Sequence, residues 1–246
     1  MTQQIKGILF DLGDTLLKFG RVDIPSLFEA GARLAYEHLE QMGFQLPPFA
    51  KYHRRQLWAI RWSAFKSRLT RREFDSLFLI MRLAKRMGYR LSREQALEQA
   101  WLLYKPLSEC ASKEDGLVEL LEGFRRWGLV LGLVSNTFIP GEALDRHLRA
   151  EGLLDLLPVR VYSCEVGYRK PHPRIFAEAL QRGQLAPAET LFVGDSPRAD
   201  IYGANRAGLI SVLKGYDDGH HHPKCKPRHR IRNLIELADL VSQYNR

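Results

Sequence analysis

The feature that most limits what this chain can fold into is a repeated unit: a short apolar run that stops at a polar residue, followed by residues at helical spacing. Residues 5–10 stop at Asp11, 129–134 at Ser135 and 191–194 at Asp195. Residues 159–163 and 210–214 form two more runs, the last closing on Lys214. Nearly continuous apolar runs of this length suit strands buried on both faces. Helical patterns at 116–126, 173–182 and 199–207 lie between them. Such alternation predicts an α/β fold: a Rossmann-like, doubly wound parallel sheet. Ligands of such sheets bind beyond the carboxyl ends of the strands. That is where the polar residues stand.

Between the first two runs the chain changes character. Asp23 followed by Pro25 is a helix start, and 24–42 carries apolar residues at helical spacing. Pro47 and Pro48 interrupt it, 51–72 is helical again, and Ser92 with Gln95 makes a capping-box pattern. This predicts an all-helical cap over about 19–111, inserted into a core made of 1–18 and 112–246. Residues 216–230 are polar and biased in composition, and read as a loop before a last helix at about 232–242.

The 246 residues, 45% of them hydrophobic, suffice for one large core and a smaller one. No apolar run reaches membrane-spanning length, and the first residues lack a secretory pattern. Three widely spaced cysteines do not suggest a disulfide framework. A cytoplasmic enzyme with no membrane partner is therefore expected. The net charge of +9 favours anionic partners without choosing among them.

Four elements carry chemistry. Asp11, at the end of the first run in the stretch Phe10-Asp11-Leu12-Gly13-Asp14-Thr15-Leu16, places a carboxylate where a nucleophile would be useful. Ser135-Asn136 ends the second run, and Arg169-Lys170-Pro171-His172-Pro173 precedes a helix. Asp195 is followed five residues later by Asp200. An acid at a strand end is often only a helix cap. Four such elements in this order are a stronger signal than any one.

On these residues the chain resembles the haloacid dehalogenase superfamily, whose four motifs match at Asp11, Ser135, Lys170 and Asp195. The resemblance implies a hydrolase, with Asp11 attacking phosphorus to form an aspartyl-phosphate. It implies that Ser135, Asn136, Thr15 and Lys170 contact the phosphoryl group. It further implies a Mg2+ site of Asp11, the carbonyl of Gly13, Asp195 and Asp200, with Asp200 ordering the acidic loop. The substrate class implied is a small phosphorylated metabolite or nucleotide. Phosphatases of the family usually carry a second aspartate two positions after the nucleophile. Here that position is Gly13, with Asp14 next to it. Asp14 reaching the leaving oxygen, a water serving instead, and an acidic leaving group all remain open. The rival chemistry is 2-haloacid dehalogenation, which needs no metal, and Asp195 favours phosphate over it. A catalytically weak binding or regulatory protein is the third reading.

Residues 51–72 hold eight Lys/Arg and no acid. Trp58, Trp62, Phe65 and Leu69 share one helical stripe beside Arg54, Arg61, Arg68 and Arg72. The expectation is an aromatic face in the core and a solvated basic face. The alternatives are arginines facing the crevice, or nucleic-acid or anionic-membrane binding, with nucleic acid disfavoured as a partner. His220, His221, His222, Cys225 and His229 lack paired metal-ligand spacing and read as a surface loop. Oligomeric state is not readable from the sequence.

Overall fold

The computed structural model describes residues 4–70, 72–215 and 225–246. Six strands form one sheet: β1 (Gly7–Phe10), β2 (Val130–Ser135), β3 (Val159–Tyr162), β4 (Thr190–Gly194), β5 (Ile210–Lys214) and β6 (His229–Ile231). Their order is β3-β2-β1-β4-β5-β6, and every pairing is parallel. The five expected runs are all strands. The sixth was read as loop, because three residues with exposed Arg230 at their centre carry no apolar signal.

All of β1 and β4 is buried, as central parallel strands covered on both faces require. One side packs Ile8, Phe10, Leu131, Leu133, Leu191 and Val193 against the helices α5 (Leu117–Arg126) and α6 (Gly141–Ala150), together with Leu237 and Val241. The other side packs Leu9, Val134, Val161 and Phe192 against α8 (Pro173–Gly183) and α9 (Tyr202–Arg206). A single turn, α7 (Ser163–Val166), follows β3. The chain closes with α10 (Leu237–Tyr244), entered through a 3-10 turn at Leu234–Glu236, so the last helix starts later than its composition suggests.

Among the described residues, four helices lie between β1 and α5: α1 (Ile24–Gln41), α2 (Phe49–Thr70), α3 (Ser76–Met87) and α4 (Arg93–Ser108). The chain leaves and re-enters the sheet layer side by side, through an antiparallel bridge between Lys18 and Ser112. Helices α1 and α4 pack tightly because Gly31 has no side chain: a Cβ there would fall 2.3 Å from the carbonyl oxygen of Leu103. The capping box at Ser92 and Gln95 forms as expected.

Two expectations about these helices need correction. Helix α3 was not foreseen, although Asp75 caps it by accepting from the Phe78 amide and left-handed Gly88 ends it. The aromatic stripe of α2 does not face the core: Trp58, Trp62, Phe65 and Leu69 are 67%, 49%, 58% and 76% exposed. The buried positions of α2 are Tyr52, Gln56 and Ser67, on the opposite face. Small and polar residues pack there because that face meets both the neighbouring helices and a cavity.

Candidate active site

Asp11 follows β1 and Asp195 follows β4, so the two carboxylates stand on neighbouring central strands at the point where the strand order reverses. The amide of Asp11 donates to the Val193 carbonyl (2.9 Å), extending the strand pairing by one residue. Ligand oxygens of Asp11, Asp195 and Asp200 lie within 4.8 Å of one another. Gly194 makes this possible, because a Cβ there would sit 2.4 Å from the carboxyl carbon of Asp200.

Among the described residues, Lys170 is the one ammonium at the centre of this group. Its Nζ lies 2.5 Å from Asp11 Oδ1 and 2.7 Å from Asp200 Oδ1. Burial works against its charge, but Asp11 and Asp200 outweigh burial and hold its pKa above the usual lysine value. The Asn136 side chain fixes this lysine at both ends of its backbone. Its Oδ1 accepts from the Lys170 amide (2.7 Å), and its Nδ2 donates to the Lys170 carbonyl (3.1 Å).

Burial pushes Asp11 up to about 7, although Lys170 pulls the other way. Burial, with Asp200 and Asp14 nearby, pushes Asp195 up to about 6. Two like charges 4.8 Å apart repel by roughly 3–4 kcal/mol at an effective dielectric of about 20. Three carboxylates against one ammonium leave an excess of negative charge. That imbalance, with oxygen donors only, fits a hard divalent cation such as Mg2+. Asp200 also has partners within the chain: its Oδ2 accepts from the Ser196 amide (2.9 Å) and its Oδ1 pairs with Lys170. Asp11, Asp195 and Asp200 are the carboxylates that could hold an ion, with the Gly13 backbone beside them in the cavity lining.

Ser135, at the end of β2, is buried and lines the same cavity as Asp11, Gly13, Asn136, Lys170 and Asp195. Three sequence assignments change. Thr15 is fully buried outside the cavity wall, and its hydroxyl lies 3.4 Å from Asp11 Oδ2. Both polar ends of the Asn136 amide are engaged by Lys170, which makes it a positioning residue. Asp14 has a left-handed backbone (φ 57°), is exposed, and accepts from the Phe19 amide (3.5 Å). It is not among the residues that line the cavity.

Sequence reasoning missed two supports. Lys214, buried at the end of β5, donates to the carbonyls of Thr15 (2.8 Å) and Asp14 (3.2 Å) and pairs with Glu114 (3.0 Å). A lysine closing an apolar run was the available signal. Glu73, just before α3, has a fully buried side chain. It pairs with Arg169 (3.0 Å) and accepts from Ser163 Oγ (3.1 Å), which ties the helical insertion to the motif around Lys170. Phe74 stacks on Phe138 beside it, with centroids 5.3 Å apart. Nothing local in the sequence marks Glu73, because its partners lie about 90 residues away.

The cavity measures about 530 Å³. Beyond the charged floor its walls are mainly apolar, with Leu27, Phe28, Ile60, Leu79, Leu103 and Phe138 among them. Arg68 also lines it, so one of the stripe's arginines does face the crevice.

The chain belongs to the haloacid dehalogenase-like hydrolases: the family model matches residues 5–208. Phosphoserine phosphatase of Thermus thermophilus is 30% identical, over 95% of this chain and 98% of its own length. A solved HAD phosphatase from Thermococcus onnurineus superposes with a TM-score of 0.60 at 26% identity, covering 96% of this chain and 98% of that one. The HAD hydrolase YfnB of Bacillus subtilis, solved with bound magnesium, gives a TM-score of 0.59 at 25% identity, covering 97% and 99%.

Proposed function

We propose that this hydrolase is a Mg2+-dependent phosphatase of small phosphorylated metabolites, working through an aspartyl-phosphate on Asp11. The observation that carries this reading is the group of Asp11, Asp195 and Asp200 around a single buried lysine. Attack on carbon has no use for so much negative charge. Attack on a phosphoryl group has, once a divalent ion is shared between protein and substrate. Two relatives of similar length, named as phosphatases, support the same choice.

Asp11 Oδ2 attacks phosphorus, and the ester oxygen leaves with the bonding electron pair. Lys170 and Ser135 meet the charge on the transferring group, and Asn136 keeps Lys170 in place. A Mg2+ ion held by Asp11, Asp195 and the Gly13 backbone would neutralise phosphoryl oxygens, so that two anions can meet. Water then attacks the aspartyl-phosphate and returns Asp11. The helical segment 19–111 acts as a cap whose docking through Glu73 and Arg169 shuts out water.

With Gly13 in place of the usual acid, and Asp14 outside the cavity lining, the chain carries no carboxyl at the position the family uses to protonate the leaving oxygen. A missing general acid costs about 10²–10⁴-fold. The apolar walls and Gly13 together favour esters of an apolar or aromatic leaving group that departs without a proton. A series of phosphate esters of graded leaving-group pKa tests this, together with trapping of labelled phosphate on Asp11. Steep dependence and a label on Asp11 are expected. Equal rates across the series, or no label, contradict the reading.

A further inference from the structure

The four large apolar side chains that α2 turns outward form a row: Trp58, Trp62, Phe65 and Leu69, at intervals of three and four residues. Exposed Arg54 and Arg61 flank the row on one side, and exposed Arg55 and Lys66 on the other. The helix carries no acid along its whole length, Phe49–Thr70. Arg82 and Arg86 of α3 share a groove with Trp58 and Trp62. Among the described residues the only carboxylate lining that groove is Glu73, whose fully buried side chain is paired with Arg169. An apolar strip bordered by uncompensated cations is therefore open to solvent.

We propose that this face is a docking surface for an anionic lipid bilayer, with α2 lying flat in the headgroup layer. Charge selects the class of partner. A second copy of the chain would bring cations against cations, whereas an anionic leaflet attracts each of them. The rings then distinguish lipid from nucleic acid. Trp58 and Trp62 stack on each other (centroids 6.1 Å, interplanar angle 10°), and Trp62 stacks on Phe65 (6.0 Å, 24°). Lys66 Nζ lies over the Trp62 ring, 5.3 Å from its centroid. Each ring already has a ring or ammonium neighbour, which leaves less of the row for an unstacked base to slot between. The outward ring edges, and aliphatic Leu69 as the most exposed member of the row, suit the boundary between headgroups and acyl chains. Tryptophan is at home at that depth, and the long basic side chains reach from it to the headgroups. The same helix turns Gln56, Ile60 and Ala64 into the catalytic cavity, so docking would hold the cap from outside without blocking the site.

The test is co-sedimentation of the full chain with phosphatidylcholine vesicles, with and without phosphatidylserine, at low and physiological salt, alongside tryptophan emission. Binding that requires phosphatidylserine, weakens with salt and blue-shifts the emission is expected. F65S/L69S should lower binding by at least about tenfold, from the apolar area two such side chains return to water. R54E/R55E should lower it by a similar factor, about tenfold. Both variants should keep wild-type melting temperature and p-nitrophenyl phosphate turnover, since none of these residues lines the cavity. No vesicle binding at low salt overturns the proposal. So does equal binding to neutral vesicles, binding indifferent to the substitutions, or binding of oligothymidylate in place of vesicles. Self-association that covers the row, seen by sedimentation, also overturns it. The phosphatase assay reads separately, so either proposal can fail alone.

Discussion

Gly13 occupies the position from which a second aspartate would serve the leaving group, and the space for one is still there. A Cβ on Gly13 would meet only the Phe19 ring, at 3.7 Å, and its backbone is not left-handed. Gly13→Asp is therefore expected to fold and to raise turnover of alkyl phosphates by about 10²-fold, with little effect on aryl phosphates. Steady-state kinetics on one ester of each kind checks this. An equal change on both would show that the new carboxylate acts on something other than the leaving oxygen. At this scale the sequence was informative about identity and less so about direction. Asp11, Ser135, Lys170, Asp195 and Gly13 line one cavity as their motifs implied. Asp14 and Thr15 neighbour Asp11 in sequence yet do not line the cavity, and Thr15 turns its hydroxyl to the Asp11 carboxylate instead. The left-handed turn at Asp14, tied by Lys214 to the next strand but one, sets their directions. No local pattern encodes that tie.

Elements with a strong pattern were legible, and short or two-faced ones were not. Five apolar strands, the capped start of α4 and the helical insertion all follow from periodicity and punctuation. Strand β6 is too short for a pattern, and it exists because β5 offers an edge to pair with. In α2 the period was right and the face was wrong. Aromatic residues at helical spacing ordinarily mark the buried side, but here the inward face meets the cavity and is built from Gln56, Ile60, Ala64 and Ser67. Just before α3, the Glu73–Arg169 pair fastens the helical insertion to the segment around Lys170. Glu73→Gln keeps the shape but leaves Arg169 without its counter-charge. Removing one partner of a buried pair costs about 3–5 kcal/mol. Arg169 is 23% exposed and can reach water, so about 2 kcal/mol is the expected loss. Thermal melts should show the lower stability, and KM should rise more than kcat falls. An unchanged KM would mean that the latch does not govern substrate entry.

For the whole molecule, burial of like charges links stability, pH and metal. Burial holds Asp11 near 7 and Asp195 near 6, above their ordinary values. A carboxyl whose pKa is raised by folding binds its proton more tightly in the folded state. Its stabilising effect is full below the unfolded value and is lost as pH rises through the folded one. The metal-free protein should therefore melt at progressively lower temperature between about pH 4 and about pH 7 on account of this site. On the proposed reading Mg2+ would bind the ionised carboxylates, so it should raise the melting temperature more at pH 8 than at pH 5. Scanning calorimetry with and without Mg2+ checks this, and equal shifts at both pH values would mean that the ion binds elsewhere. The positive net charge gave only the sign of a partner, and the placement of that charge on α2 required the fold. His220, His221 and His222, read as part of a surface loop, lie outside the described residues. Cys225 and His229 are described, and His229 is engaged with Tyr244 (2.7 Å).

Hydrolysis of p-nitrophenyl phosphate by wild-type and Asp11→Asn protein, each with Mg2+ and with chelator, is the decisive assay for a Mg2+-dependent phosphatase acting through Asp11. Turnover is expected in wild type with Mg2+, and is expected to be lost on chelation or on substitution of Asp11. Turnover that survives Asp11→Asn, or that is indifferent to Mg2+, would contradict this reading.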